Sequence, residues 1–230
     1  MSLSSVRALT FDLFGTVLDL AGSLTPHIGR FLQEHGSDAD PAGFWGQWRY
    51  RQRIEQYQDT ILMLGHSGYL ETAQKAFSYT LRLNGVDAAD DEVDRFMEVW
   101  RELSPFPEVL PALERLRSRF ALVALSNGNP WFLEHLVKNR VRFEFDSVIS
   151  VEAAGAFKPH PGVYRKAAGI LSREPGELLM VSANSFDVMG ARACGYRGAF
   201  VNRYGLPYED TPYQPDLTVQ DFTELADTLL

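Results

Sequence analysis

The feature that most constrains the fold is a series of short apolar runs, each of which stops where polar or glycine residues begin. The runs are continuous and do not alternate with polar residues, which is typical of parallel strands covered on both faces. They are Ala8–Phe11, Phe120–Leu125, Phe145–Val151, Leu178–Val181 and Gly198–Val201. This pattern predicts a parallel sheet with helices packed on both sides.

Segments with helical spacing lie between these runs. Leu110, Leu113 and Leu116 would share one helix face, with arginines toward the C-terminal end, where cations suit the helix dipole. Pro161–Leu171 begins with a proline at a first-turn position. Strands that alternate with helices predict an α/β fold with a doubly wound, Rossmann-like parallel-sheet core.

The stretch 20–103 breaks this alternation, because it is helical in character and contains no convincing buried strand. Phe44–Tyr57 and Tyr69–Leu83 are its clearest helices. We therefore predict an α/β core domain formed by residues 1–19 and 104–230, with residues 20–103 inserted as a helical domain.

Charge and composition exclude several classes of partner. The 230 residues include 22 Lys and Arg and 30 Asp and Glu, which gives a net charge of −8. This acidic balance argues against nucleic acid or an anionic membrane as the main partner. No apolar run approaches the roughly 18–20 residues of a membrane span, and MSLSSVRALTF does not look like a secretory signal. A lone cysteine, Cys194, fits a reducing compartment, so we expect a cytoplasmic protein.

Polar side chains follow four of the five apolar runs, where the strand ends of an open parallel sheet form a ligand crevice. They are Asp12 and Thr16, then Ser126 and Asn127, then Lys158, and finally Ser182, Asn184 and Asp187. Any one of them is a weak signal, since polar residues commonly end strands. Their order, with a helical insertion after the first, makes the pattern specific for a site at that edge.

The same residues lie in four motifs by which the chain resembles the haloacid dehalogenase superfamily. The motifs are FDLFGTVLD at Phe11–Asp19, LSNG at Leu125–Gly128, FKPHPGVY at Phe157–Tyr164 and VSANSFDVMGARACGY at Val181–Tyr196. The resemblance covers nearly the whole chain. It implies a core of that superfamily's type, with residues 20–103 as its cap.

Two departures separate the chain from the phosphatases that make up most of this superfamily. Phe14 stands two residues after Asp12, where the phosphatases carry a general acid. Ser182-Ala183 stands where they carry a Gly-Asp pair whose carboxylate binds magnesium. The same departures match the L-2-haloacid dehalogenases, which resemble the chain in all four motifs. Because halide leaves as a stable anion without protonation, this resemblance implies carbon–halogen hydrolysis with no metal and no other cofactor.

The resemblance implies covalent catalysis on a small 2-haloacid. Asp12 would attack C2 of the L-substrate, expel the halide and form an ester, and hydrolysis of that ester would release a D-2-hydroxyacid with inversion at C2. Asp187 and Asn184 would position or activate the water, Lys158 would lie near both carboxylates, and Tyr164 would support Asp187 and Lys158. Ser126 and the backbone N–H groups from Leu13 onward would bind the substrate carboxylate. Thr16 and Ser182 would orient neighbouring groups.

The cap should supply a cation for the halide. Trp48, Arg51 and Gln52 fall at i, i+3 and i+4 of one helix, and Arg51-Gln52 resembles the family's cap arginine and glutamine. A guanidinium suits a large, weakly hydrated anion better than an ammonium does. Arg49 and Arg53 remain alternatives. The rest of the implied pocket is Asn127 and Phe186 near the halide, with Phe14 and Tyr69 as apolar walls.

Other functions stay open at this point. They are a related hydrolase acting on a haloacetate or another small substrate, a magnesium-dependent phosphatase, and a non-catalytic binding protein. The family resemblance also suggests a homodimer. Halide preference and the natural substrate do not follow from the sequence.

Overall fold

The computed structural model of the protein describes residues 3–230; the first two residues, with which the predicted core segment begins, lie outside the described part. The strands are β1 (Ala8–Phe11), β2 (Leu18–Asp19), β3 (Ser104–Pro105), β4 (Ala121–Ser126), β5 (Ser147–Ser150), β6 (Leu178–Ser182), β7 (Arg197–Val201) and β8 (Leu217–Val219). The helices are α1 (Leu20–Glu34), α2 (Pro41–Ile61), α3 (Tyr69–Leu83), α4 (Asp90–Met97), α5 (Val109–Leu116), α6 (Pro130–Leu136), α7 (Pro161–Leu171), α8 (Ser185–Ala193) and α9 (Phe222–Leu229).

Six parallel strands form the main sheet, in the order β5-β4-β1-β6-β7-β8. The four residues of β1 are buried because the strand lies between β4 and β6 and is covered on both faces. The predicted α/β fold with a parallel sheet is confirmed. Strand β8 was not predicted, because its three residues at the sheet edge are too few to give a periodic signal.

The helices α1–α4 lie between β2 and β3, two short strands that pair antiparallel where the chain leaves and re-enters the sheet region. Between residues 20 and 103 the structure contains no strand. Helix α2 begins earlier than predicted, because the Asp40 carboxylate accepts a hydrogen bond from the N–H of Gly43 at 2.7 Å and caps the helix. No helix among residues 3–230 is long and apolar enough to cross a membrane.

Aromatic rings join the helical segment to the sheet region. Phe14 follows β1, and its ring stacks on that of Tyr69, the first residue of α3, with centroids 4.0 Å apart. The rings of Phe132 and Trp100 pack against Phe14 from other sides. Such pairs contribute about 0.5–1.5 kcal/mol each beyond the burial of their area. The contact with Tyr69 holds the start of α3 beside the C-terminal end of β1.

Candidate active site

A tight turn presents Asp12 at the end of β1. The Asp12 N–H donates to the carbonyl of Val181 at 3.0 Å, so the residue continues the pairing with β6 by one position. The carbonyl of Leu13, which is fully buried, accepts the N–H of Leu18 at 2.8 Å and closes the turn. Gly15 has φ +86°, a conformation that glycine adopts without strain. The Asp12 side chain is therefore fixed, and the residue is only 4% exposed.

The two carboxylate oxygens of Asp12 have different partners. Oδ2 accepts hydrogen bonds from Thr16 Oγ1 and Asn184 Nδ2, both at 2.8 Å. Oδ1 faces Lys158 Nζ at the longer distance of 3.3 Å. The oxygen with the fewer and longer contacts is the one with lone pairs free to react.

Lys158 lies buried between two carboxylates. Its Nζ donates to Asp187 Oδ2 at 2.9 Å, to the carbonyl of Leu125 at 2.6 Å and to Asp12 Oδ1. Its backbone N–H donates to Asn127 Oδ1 at 3.0 Å, which fixes the loop between β5 and α7 against the end of β4. All three ammonium protons have acceptors, as a buried cation requires.

Asp187, in the first turn of α8, is fully buried. Burial raises the pKa of its carboxyl above the ordinary value, and the charge of Asp12 adds to the rise, while Lys158 and the hydroxyl of Tyr164 oppose it. The Tyr164 hydroxyl donates to Asp187 Oδ1 at 2.8 Å. A carboxylate with a raised pKa accepts a proton more readily, which suits a general base.

Three predicted hydroxyl groups lie at or just after the ends of β1, β4 and β6. Ser182 Oγ accepts the N–H of Asn184 at 3.1 Å, and Thr16 Oγ1 accepts the N–H of Ala183 at 2.9 Å, so both hydroxyls shape the loop after β6. Ser126 is fully buried, and its Oγ has no hydrogen-bond partner within residues 3–230. An unpaired buried hydroxyl is costly, so Ser126 is suited to bind a ligand group.

A cavity of about 10 Å³ lies beside Asp12, and its volume is close to what one water molecule needs. Its lining is Asp12, Phe14, Arg49, Gln56, Tyr69, Asn127, Lys158, Asn184, Phe186 and Asp187. Eight of these ten residues belong to the predicted site. The structure thus brings residues from the ends of four strands, and from helices α2 and α3, around one cavity.

Arg51 does not lie there, and this placement corrects the predicted cap arginine. Its Nε donates to Glu55 at 2.9 Å, and its guanidinium lies 4.3 Å from the ring centre of Tyr79, on the far side of α2. The prediction is wrong because it places the face of α2 that carries Trp48, Arg51 and Gln52 toward the site. Trp48 and Gln52 are both buried, and Trp48 donates from Nε1 to the carbonyl of Ala73, so that face packs within the cap against α3.

Arg49 is the arginine that lines the cavity. Its Nη1 donates to Gln52 Oε1 at 2.8 Å and to the hydroxyl of Tyr69 at 3.4 Å. Gln52 therefore supports the arginine and does not itself line the cavity. Gln56 also lines the cavity and was not predicted. Its signal is the spacing, because Arg49, Arg53 and Gln56 stand at i, i+4 and i+7 of α2 and so share a face.

Two carboxylates, those of Asp12 and Asp187, line the cavity. Within residues 3–230, no group of three or more His, Cys, Asp or Glu side chains is placed to hold a metal ion. Phe14, two residues after Asp12, is apolar, and neither Ser182 nor Ala183 supplies a carboxylate near Asp12.

The chain matches known proteins over nearly its full length. Residues 6–195 match the family model described as haloacid dehalogenase-like hydrolase. The chain is 35% identical to haloacetate dehalogenase H-2 of Moraxella sp. (strain B), covering 94% of this chain and 95% of that protein. It is 32% identical to (S)-2-haloacid dehalogenase 4A of Burkholderia cepacia, covering 90% and 89%.

A solved structure has the same architecture. The L-2-haloacid dehalogenase from Xanthobacter autotrophicus with chloropropionic acid covalently bound superposes with a TM-score of 0.83 at 26% identity, covering 97% of this chain and 98% of that one. The fold, the four motifs and these matches agree. The chain belongs to the haloacid dehalogenase-like hydrolases, on their L-2-haloacid dehalogenase branch.

Proposed function

We propose that the protein hydrolyses L-2-haloacids to D-2-hydroxyacids with inversion, through an ester on Asp12. The observation that carries the proposal is the Asp12–Lys158–Asp187 chain of buried charges inside a closed cavity with apolar walls. It combines a carboxylate nucleophile with a second carboxylate able to act as a base.

In the first step, Asp12 Oδ1 attacks C2 of the substrate from the side opposite the halogen. The new Oδ1–C2 bond forms as the carbon–halogen bond breaks, and the halide leaves with the bonding electron pair. Arg49 is the cation that receives the halide, and its guanidinium is held in place by Gln52 and Tyr69. Ser126 Oγ and Lys158 are placed to hold the substrate carboxylate. The aromatic walls keep water out, which favours the displacement.

In the second step, a water attacks Cγ of the Asp12 ester and gives its proton to Asp187. The carbonyl electron pair moves onto Oδ2, where Thr16 and Asn184 donate to the developing negative charge. When this intermediate collapses, the Cγ–Oδ1 bond breaks, Asp187 passes its proton to Oδ1, and the 2-hydroxyacid leaves. Asp12 keeps the oxygen of the water.

The first step needs no leaving-group acid, because halide departs without a proton. This agrees with Phe14 at the position where a phosphatase would need a carboxylic acid, and with Ala183 where it would need a metal ligand. The phosphatase alternative is disfavoured on those two residues.

A haloacetate is the second candidate substrate. Because the cavity of about 10 Å³ must widen for any haloacid, a haloacetate, which lacks the methyl group of 2-halopropionate, needs the smaller widening. The similarity to a haloacetate dehalogenase supports the same choice. The two substrates would share every residue of the mechanism.

The test is halide release from each enantiomer of 2-chloropropionate and from chloroacetate, with EDTA present, followed by chiral analysis of the product. We expect D-lactate from the L-substrate and none from the D-substrate. No halide from any of the three would overturn the proposal, and turnover that depends on added magnesium would revive the phosphatase.

Three broader features belong to the same proposal. Residues 20–103 act as a cap over a core of residues 1–19 and 104–230, and the protein works in the cytoplasm as a homodimer. The exposed apolar run of Ile61, Leu62, Met63 and Leu64 at the end of α2 supports self-association. Light scattering of the purified protein would test it, and a monomer at all concentrations would exclude the dimer.

A further inference from the structure

A second arginine of the cap contacts the core beside the nucleophile. Arg53 lies one turn after Arg49 on α2, and its Nη2 donates to Asn184 Oδ1 at 2.8 Å. Its guanidinium carbon lies 5.3 Å from the ring centre of Phe186. Burial, reinforced by Arg49, lowers the pKa of Arg53 to about 10, so the side chain is still a cation at neutral pH.

Arg53 does not line the cavity around Asp12. It lines a neighbouring cavity of about 110 Å³ together with Phe14, Trp45 and Arg49. Its action on the reaction therefore goes through Asn184, which lines both cavities.

The amide of Asn184 has one accepting end and one donating end, and only one orientation serves Asp12. Nδ2 donates to Asp12 Oδ2 at 2.8 Å and to the carbonyl of Phe14 at 3.3 Å. If the amide were turned over, its oxygen would face the carboxylate oxygen and repel it. A guanidinium has donors and no acceptor, so Arg53 can bind only the oxygen end.

We propose that Arg53 is a positioning residue for ester hydrolysis, and that it fixes and polarises the Asn184 amide so that Nδ2 faces Asp12 Oδ2. This inference rests on the proposed function. It assigns to a cap residue control over the second chemical step, beyond the enclosure of the substrate.

The two steps depend on this contact to different extents. During alkylation, Oδ1 is the attacking oxygen and negative charge leaves the Asp12 carboxylate, so a donor at Oδ2 gives no acceleration. During hydrolysis, a full negative charge develops on Oδ2, and the donor stabilises it. Loss of Arg53 should therefore slow hydrolysis more than alkylation, and the ester should accumulate.

The test compares Arg53→Met with Arg51→Met, a control on the same helix whose side chain points away from the site. For Arg53→Met with L-2-chloropropionate, we expect kcat to fall roughly 10- to 100-fold, below the loss that removal of an oxyanion donor itself causes. KM should fall with it, because kcat/KM reports alkylation. Rapid quenching followed by intact-protein mass measurement should show a larger steady-state fraction of ester than in the unmodified enzyme.

Arg53→Lys keeps the charge and a donor, and should restore part of kcat and reduce the ester fraction. If Arg53→Met does not fold, Arg53→Lys is compared with Arg51→Met in kcat, KM and ester fraction instead. The inference is overturned if the Arg53 variants match Arg51→Met in kcat, KM and ester fraction, or if kcat and kcat/KM fall equally without accumulation of ester. Failure of the proposed function is a separate result, since the unmodified enzyme would then release no halide.

Discussion

The two halves of the site are held in different ways. The core half, which is Asp12, Asn127, Lys158, Asn184 and Asp187, stands on the loops and helix starts that follow strands of one sheet. The cap half, which is Arg49, Gln56 and Tyr69, stands on the faces of two helices.

This difference determines what a small change in the chain does. Neighbouring parallel strands lie about 4.8 Å apart, so residues at their ends meet whatever the details of packing. Consecutive residues of a helix point about 100° apart, so the residue that enters the site depends on how α2 is rotated against α3. In the proposed mechanism, the core half supplies the groups that react, and the cap half supplies the groups that select and enclose the substrate.

The largest effect is expected in the core half. Asp12→Asn removes the nucleophile and should lower halide release by at least roughly 10⁴-fold, as loss of a nucleophile does in other covalent enzymes. The measurement is halide release from L-2-chloropropionate, with circular dichroism as a check of folding. A folded Asp12→Asn enzyme that retains substantial activity would contradict the ester mechanism.

The cap half should show a large effect at Arg49 and almost none two residues later. Arg49→Met removes the cation in the cavity and should lower kcat/KM about 100-fold, since loss of one buried partner of a charged contact costs about 2–5 kcal/mol. Arg51→Met removes a peripheral ion pair and should change kcat/KM by less than about twofold. Equal losses in the two variants would show that the rotation of α2 in solution differs from that described above.

Tyr164→Phe sharpens the role of the core half. Since Asp187 acts as the base only when ionised, its raised pKa should place the acid limb of the kcat–pH profile above the ordinary value of about 3.9. The Tyr164 hydroxyl opposes that rise. Its removal should move the limb to still higher pH and lower kcat about 10-fold. A limb that moves to lower pH would refute the assignment.

The smallest effect is expected where the two halves meet. Asn127 Nδ2 donates to Gln56 Oε1 at 3.5 Å, the upper limit for such a contact. Gln56→Leu should therefore change kcat/KM only a few-fold, about 2- to 5-fold. A loss as large as that of Arg49→Met would mean that Gln56 contacts the substrate directly.

The same contrast explains what the sequence could predict. The core residues follow continuous apolar runs, and the topology rule for parallel sheets places them together without knowledge of any side-chain contact. The sequence cannot show whether Arg49 or Arg51 faces the site, because the periodicity of WRYRQRIEQY allows more than one buried face. Trp48 and Gln52 are buried against α3 because of how the two helices pack, and the spacing of residues along α2 does not determine that packing.

The closed cavity around Asp12 has a kinetic consequence. A space of about 10 Å³ admits no haloacid, so the cap must move before the substrate binds and again before the products leave. If that motion limits turnover, chloro and bromo substrates will share one kcat although their bonds differ in strength. The rate will then depend on the viscosity of the solvent.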